Sequence, residues 1–379
     1  MNKLITVYDD YESLNNVIPA LTINVDEVFY IYHHEAPLNA FSNIKKVISR
    51  YKDIKISFLK LTNDQVQIRA ILDKHKGMIV DVGGSKYLSL VLFEQAIARD
   101  NLIIYYDDEE NVIKSYRDHK VYIENVFKLK IEDVLNLRGG EIKSQMHHPT
   151  SNEESNSLIV SAVEKGINKY SCFVSYITKI NSYINNKASR DGVTYRLDED
   201  VAKKLKADEG YKFTSELFTL KKDSIVFKSK DIKERFAVSG SFLEEYIYTK
   251  MKESGYFDDV IMSAVIDFSD DKYRLPVRCE IDCLIIKDNR TLFTSCKSNK
   301  VDTSDLNEIH VHNSKFGNAL SSPVLCTMDD LNEKSPSVYA KAKELQVAVI
   351  DKTSFRSRTV PEDFRSIIDN SYKYEKIPD

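Results

Sequence analysis

Apolar positions in the first hundred residues fall alternately into short β-branched runs and stretches of helical period. Residues 4–8, 27–32, 54–59, 79–82 and 102–106 predict strands, and 38–51 and 62–75 predict helices, the second capped by Thr62 or Asn63. Strands alternating with helices imply a parallel sheet covered on both faces. Ligands of such sheets bind in the crevice beyond the carboxyl ends of the strands. That edge collects Tyr8, Asp9 and Asp10, His33 and His34, and Gly83, Gly84, Ser85 and Lys86.

Further along, Ile159, Val163, Gly166, Ile167, Tyr170, Phe173, Val174, Ile177 and Ile180 repeat at helical period and predict one long amphipathic helix. Residues 242–252 predict another, with Ser241 placed to cap it. Glu244 shares its apolar side with Ile247, Tyr248 and Met251, whereas Glu245 falls toward the more polar side with Thr249 and Lys252. Residues 279–286 and 291–296 predict two strands joined by a tight turn at Asp288-Asn289. Residues 323–327 and 346–350 predict further strands, and Pro336 opens a helix between them. The last third therefore reads as a mixed sheet flanked by helices.

Chemistry gathers at the end of that hairpin. Glu280 and Asp282, two apart on a strand, point to one face, and Lys297 closes the next strand. Carboxylate oxygens hold hard divalent cations, and a nearby lysine can orient a water or offset charge on a phosphate, the combination phosphodiester hydrolysis needs. An inward Glu244 calls for a partner or a metal. An acidic hairpin rim and a salt-bridged helix glutamate are the plain alternatives. Upstream, Gly83-Gly84-Ser85-Lys86 links an apolar run to an apolar helix. Its glycines let a ligand approach the backbone, and helix-terminal amides with Lys86 suit a phosphate. The turn is neither GxxxxGK[ST] nor GxGxxG, and an ordinary turn is the alternative.

A helix glutamate, Glu-x-Asp on a strand and x-Cys-Lys on the next, in this order, resemble the PD-(D/E)xK nuclease superfamily. The closest resemblance is to nucleases that join this core to an amino-terminal CARF domain, the cyclic-oligoadenylate-activated effectors of type III CRISPR systems. Phe242-Leu243-Glu244 looks like their Trp-Leu-Glu helix, Glu280-Ile281-Asp282 like their Asn-Glu-x-Asp strand, and Asp81-Val82-Gly83-Gly84-Ser85-Lys86 like the CARF signature. Ser295 stands where the superfamily usually has the acid of its (D/E)xK element, so the second metal-binding carboxylate is expected from Glu280 or Glu244.

The resemblance implies a Rossmann-like CARF domain followed by a restriction-endonuclease-like α/β domain. It also implies catalysis by Glu280, Asp282, Lys297 and Glu244, and Mn²⁺ or Mg²⁺ on Asp282, Glu280 and Glu244. A cyclic tetra-adenylate, or the hexa-adenylate, is expected on Gly83, Gly84, Ser85, Lys86, Tyr8, Asp9, Asp10 and His33. A homodimer is expected around that two-fold ligand. The nucleic-acid substrate is expected to be single-stranded DNA, RNA or duplex DNA. A regulator with a decayed nuclease core is the competing expectation, favoured by Ser295. A CARF domain that cleaves its own activator through Asp9, Asp10 or Lys86 is a third.

The length of 379 residues suits two cores. Expected units are 1–145 (ligand-binding), 146–235 (linker, long helix and a basic connecting segment for which a winged helix is one reading) and 236–379 (nuclease). A net charge of −4 gives no global drive toward nucleic acid. Residues 201–235, though, carry ten Lys or Arg against six acids, interleaved with Tyr211, Phe213, Phe218 and Phe227. This segment suits a phosphate backbone with stacked bases, or else a solvated face over an aromatic core. Five cysteines without a CxxC pair argue against a disulfide framework or structural zinc. No run approaches a membrane span and the start does not read as a signal peptide, so a cytoplasmic address is expected. His147-His148 reads as a solvated pair in a turn-rich linker, and His310 and His312 are candidates to touch metal or substrate.

Overall fold

The computed structural model describes residues 2–9, 12–34, 39–84, 86–185, 187, 189, 191–238, 240–269, 276–298, 300–357 and 360–370. The first sheet contains parallel strands β1 (Lys3–Val7), β2 (Glu27–Tyr32), β3 (Lys55–Lys60), β4 (Ile79–Asp81) and β5 (Leu102–Asp107). Antiparallel β6 (Val112–Ser115) and β7 (Val121–Ile123) extend it, in the order β3-β2-β1-β4-β5-β6-β7. Its central strands are mostly apolar because both faces are covered, with Thr6, Glu27 and Asp81 buried among them. Helices α1 (Ile18–Thr22) and α2 (Ala40–Tyr51) pack on one face, and α3 (Asp64–Lys74) and α4 (Lys86–Ile97) on the other. Strand order reverses between β1 and β4, which places the ligand crevice of such a sheet at their carboxyl ends.

Helix α5 (Ile131–Leu137) leads into β8 (Gly140–Gln145), which pairs antiparallel with β12 (Asp259–Ser269). The last strand within residues 1–145 is thus hydrogen-bonded into the second sheet. Residues 153–237 form α6 (Glu153–Gly166), α7 (Tyr170–Ile184), β9 (Thr194–Arg196), α8 (Glu199–Ala207), α9 (Tyr211–Thr214), β10 (Phe218–Leu220), β11 (Ser224–Phe227) and α10 (Lys230–Ala237), with a small sheet in the order β10-β11-β9. The single long helix expected here is two helices, separated by a 3-10 turn at Ile167–Lys169. A Cβ on Gly166 would come within 2.9 Å of the Phe173 ring, so the bend is packed by a side chain that only glycine admits.

The second sheet runs β16-β15-β14-β13-β12-β8, with β13 (Pro276–Lys287), β14 (Arg290–Lys297), β15 (Ser322–Thr327) and β16 (Ala348–Ile350). Helix α11 (Ser241–Glu253) covers one face with α15 (Lys352–Ser357) and α16 (Val360–Asn370). On the other lie α12 (Thr303–Phe316), α13 (Leu331–Lys334) and α14 (Pro336–Glu344), in a core continuous with one face of the first sheet. The expected fold class, a Rossmann-like parallel domain followed by a mixed α/β domain, is the one observed. Among the described residues no helix is long and apolar enough to cross a membrane.

Three local expectations change. Gly240, at φ 95°, occupies the cap of α11, and Ser241 is its first residue, donating backward to Arg235 O (2.8 Å) and Val238 O (3.1 Å). Glu245 does not face solvent: it is 0% exposed and ion-paired with Arg235 at 2.9 Å. Phe218 and Phe227 of the basic segment lie in the core, and Tyr211 and Phe213 pack against it. No stacking platform is therefore formed by these rings, and the segment is a solvated basic face over an aromatic core.

Candidate active site and ligand crevice

Strands β13 and β14 pair from Lys287↔Arg290 only as far as Cys283↔Thr294, and β14 then continues beside β15. Beyond the last paired residues, Asp282 bridges the parting strands. Its Oδ2 accepts from Cys296 N at 2.7 Å and from Ser295 Oγ at 3.3 Å. Across the sheet, Ser263 of β12 adopts φ 47° and donates its hydroxyl to Glu244 Oε2 at 2.7 Å. Gly240 beside this point is favoured by its positive φ of 95°, rather than by lack of room for a side chain.

These elements bring Glu244, Glu280, Asp282 and Lys297 to one cleft of about 380 Å³. Burial first, and then the charge of Asp282, push the Glu244 carboxyl well above the usual carboxylate range. Burial raises Asp282 too, against the Cys296 amide and Lys297, and Glu280 rises through burial and Asp282. Burial works against the Lys297 ammonium, but its hydrogen bond to Asp305 (3.1 Å) and the charge of Asp282 outweigh it and hold the pKa above the ordinary lysine value. Three carboxylates thus crowd a partly dry point where the nearest lysine is already paired. Glu244 is 6% exposed, and only one of its oxygens is hydrogen-bonded among the described residues. Hard oxygen donors with uncompensated charge fit a divalent cation. Among the described residues no three His, Cys, Asp or Glu side chains stand as a ready-made cage.

Sequence reasoning missed part of this neighbourhood. His147, expected to be solvated, lines the cleft, and Asp305 holds Lys297. A second cavity of about 180 Å³ is lined by Glu280, Asp282, Ser295, Lys297, Glu308 and His312. Of the two histidines expected near the site, His312 is there, whereas His310 faces away and contacts Leu345 O. Asp305, Glu308 and His312 recur at three- and four-residue spacing, a signal available in the sequence.

The crevice on the first sheet assembles as its topology requires. Gly84, at φ 96°, lies against β1, where a Cβ would meet Val7 O at 2.9 Å. The Gly83 amide is donated to Asp81 Oδ1 at 3.1 Å, which fixes the turn against the end of β4 just before α4 opens. Asp9 accepts from Glu12 N (3.0 Å) and Asn15 Nδ2 (3.3 Å), and Tyr8 packs edge-on to Phe41. Both shape the wall. His33 follows β2, bonds Asp64 through Nε2, and lies 5.6 Å from the Tyr87 ring of α4. Lys86 begins α4. Asp10 and Ser85 lie outside the described residues.

No family model and no curated protein matches the chain. Among solved structures it is similar to protein VC1899 from Vibrio cholerae, with a TM-score of 0.78 at 11% identity over 98% of each chain. It is also similar to Can2 from Sulfobacillus thermosulfidooxidans, solved in complex with cyclic tetra-adenylate, with a TM-score of 0.70 at 15% identity over 97% of this chain and 99% of that one. From the crevice of the first sheet to the parted strands of the second, the chain has the fold of these two proteins.

Proposed function

We propose that this protein is a metal-dependent nuclease of type III CRISPR defence, switched on by a cyclic oligoadenylate bound across a homodimer. The observation that carries the reading is the meeting of Glu244, Glu280, Asp282 and Lys297, from three elements, where β13 and β14 part. The fold shared with Can2, solved holding cyclic tetra-adenylate, supports that ring as the first ligand to try and the hexa-adenylate as the second. Glu280, Asp282 and Glu244 would hold Mn²⁺ or Mg²⁺, which supplies an acidified water and offsets charge on the scissile phosphate. Lys297, kept cationic and fixed by Asp305, orients the water or meets the phosphate oxygens. Exposed lysines such as Lys204, Lys206 and Lys228 grip the nucleic-acid backbone rather than its bases, because the neighbouring rings are buried. Ser295 leaves a second reading, a ligand-dependent DNA-binding regulator.

Labelled single-stranded DNA, duplex DNA and RNA, incubated with Mn²⁺ or Mg²⁺ and with or without each ring, separate the two. We expect cleavage only with metal and ring together, lost in Asp282→Asn and Lys297→Ala at unchanged ring affinity. Full cleavage by Asp282→Asn would sink the assignment, and ring-dependent binding without cleavage would favour the regulator.

A further inference from the structure

We propose that Glu308 of α12 supplies the carboxylate that Ser295 lacks, completing the cation-binding set from the sheet face opposite Glu244; this rests on the nuclease reading above. Along β14, Phe293, Ser295 and Lys297 alternate onto the face that α12 covers, since Phe293 shares a core with Leu306 and Ile309, and Lys297 pairs with Asp305. An acid at position 295 would therefore point toward α12. Ser295 instead donates to Asp282 and leaves space beyond its short side chain. That space is the 180 Å³ cavity, with Glu280, Asp282, Ser295 and Lys297 on the sheet side and Glu308 on the helix side.

Helix α12 is built to present this residue. Asp305, Glu308 and His312 share one stripe, while Leu306 (0% exposed) and Ile309 (2%) anchor the helix on the sheet. Asp305 is committed to Lys297 and to the amide of Asp302. Glu308 has neither hydrogen bond nor ion pair among the described residues, and its negative charge already acts on Glu280, Asp282 and Lys297. On the opposite face, the almost fully buried Glu244 keeps one oxygen unbonded beside the adjoining cleft, which Glu280, Asp282 and Lys297 also line. Carboxylates on both sides of the parted strands would let the cation be held without an acid at position 295.

Calorimetric titration of Mn²⁺ into the full-length protein, without nucleic acid, tests this on wild type, Asp282→Asn, Glu308→Gln and the double variant Ser295→Glu/Glu308→Gln. Glu308→Gln is expected to weaken Mn²⁺ binding about tenfold or more, as Asp282→Asn does. The double variant, which moves the carboxylate back to β14, is expected to regain binding, a rescue that a structural role for Glu308 would not produce. Wild-type Mn²⁺ affinity in Glu308→Gln alongside loss in Asp282→Asn overturns this inference alone. So does a double variant that stays as weak as Glu308→Gln. Wild-type affinity in Asp282→Asn overturns the nuclease reading with it.

Discussion

Adjacent on α11, Glu244 and Glu245 are both withdrawn from water, yet only Glu245 is ion-paired. Its oxygens also accept from Thr150 N (3.0 Å) and Asn156 Nδ2 (2.8 Å), and Arg235 reaches on to His148 O. Removing one member of a buried pair leaves the other charge uncompensated. Glu245→Ala is therefore expected to cost about 3–5 kcal/mol in urea unfolding; a loss below about 1 kcal/mol, the scale of a surface pair, would contradict it. Asp81 is the matching case in the first domain. Burial pushes its carboxyl from 3.8 to about 6, against hydrogen bonds from Thr6 and Gly83. The folded chain then holds the proton more tightly than the unfolded one, so this group's contribution is fully present below about pH 4 and is lost as pH rises through about 6. That difference between the folded and unfolded chain corresponds to about 3 kcal/mol. Asp81→Asn cannot ionise, so its stability relative to wild type should improve by that amount between pH 4 and 7. A difference independent of pH would show that the buried carboxyl does not titrate this way.

At the scale of elements, α4 stands out because its outward side, exposed Glu94 excepted, is nearly as apolar as its inward one. Leu88, Leu92 and Ala96 pack inward, while Tyr87, Leu90 and Ile97 are 58%, 68% and 50% exposed. An outward apolar stripe beside the ligand crevice fits a second copy across a two-fold axis. Leu90→Arg is expected to give a monomer by light scattering and to lower ring affinity while leaving Mn²⁺ binding intact; an unchanged dimer would move the interface elsewhere. The elements that read correctly from the sequence, such as β1, β2 and α3, are patterned by burial, on both faces in the strands and on one side in the helix. Those that did not had mixed causes. Strand β8, largely polar, is an edge strand with little burial to pattern it, and Ser263 interrupts β12 with a positive φ. Gly166 hid a helix break because helical spacing persists across the 3-10 turn. Glu280, Asp282 and Lys297 were visible because strand alternation fixes their direction. Asp305 and Glu308 were not singled out, because only the packing of α12 on β14 turns their side of the helix toward the site.

Across the whole molecule, the hairpin that carries Glu280 and Asp282 at one end is fastened to the first domain at the other. Its turn holds Asp288 at φ 48° and Asn289 at φ 65°. Asn289 is 1% exposed, accepts from Leu129 N at 2.9 Å, and donates to Phe127 O (3.0 Å) and Asn111 Oδ1 (3.1 Å). Lys128 pairs with Asp258 at 3.1 Å and with Asp288 at 2.7 Å. A second bridge runs from the crevice wall, where Glu12 donates to Asp9 and accepts from Ala319 N at 3.3 Å, just beyond the end of α12. In the proposed gating, ligand binding on the first sheet can bias the cleft only if the two domains share states with different ring affinity, and these contacts are the expected route for such a difference. Asn289→Gly preserves the turn's backbone but removes its side-chain bonds to the first domain. Ring binding and Mn²⁺ binding, measured separately, should survive, whereas the stimulation of cleavage by the ring should fall about fivefold or more. Stimulation unchanged in Asn289→Gly would mean that the hairpin turn only joins the domains and that coupling runs through Glu12 and α12 instead.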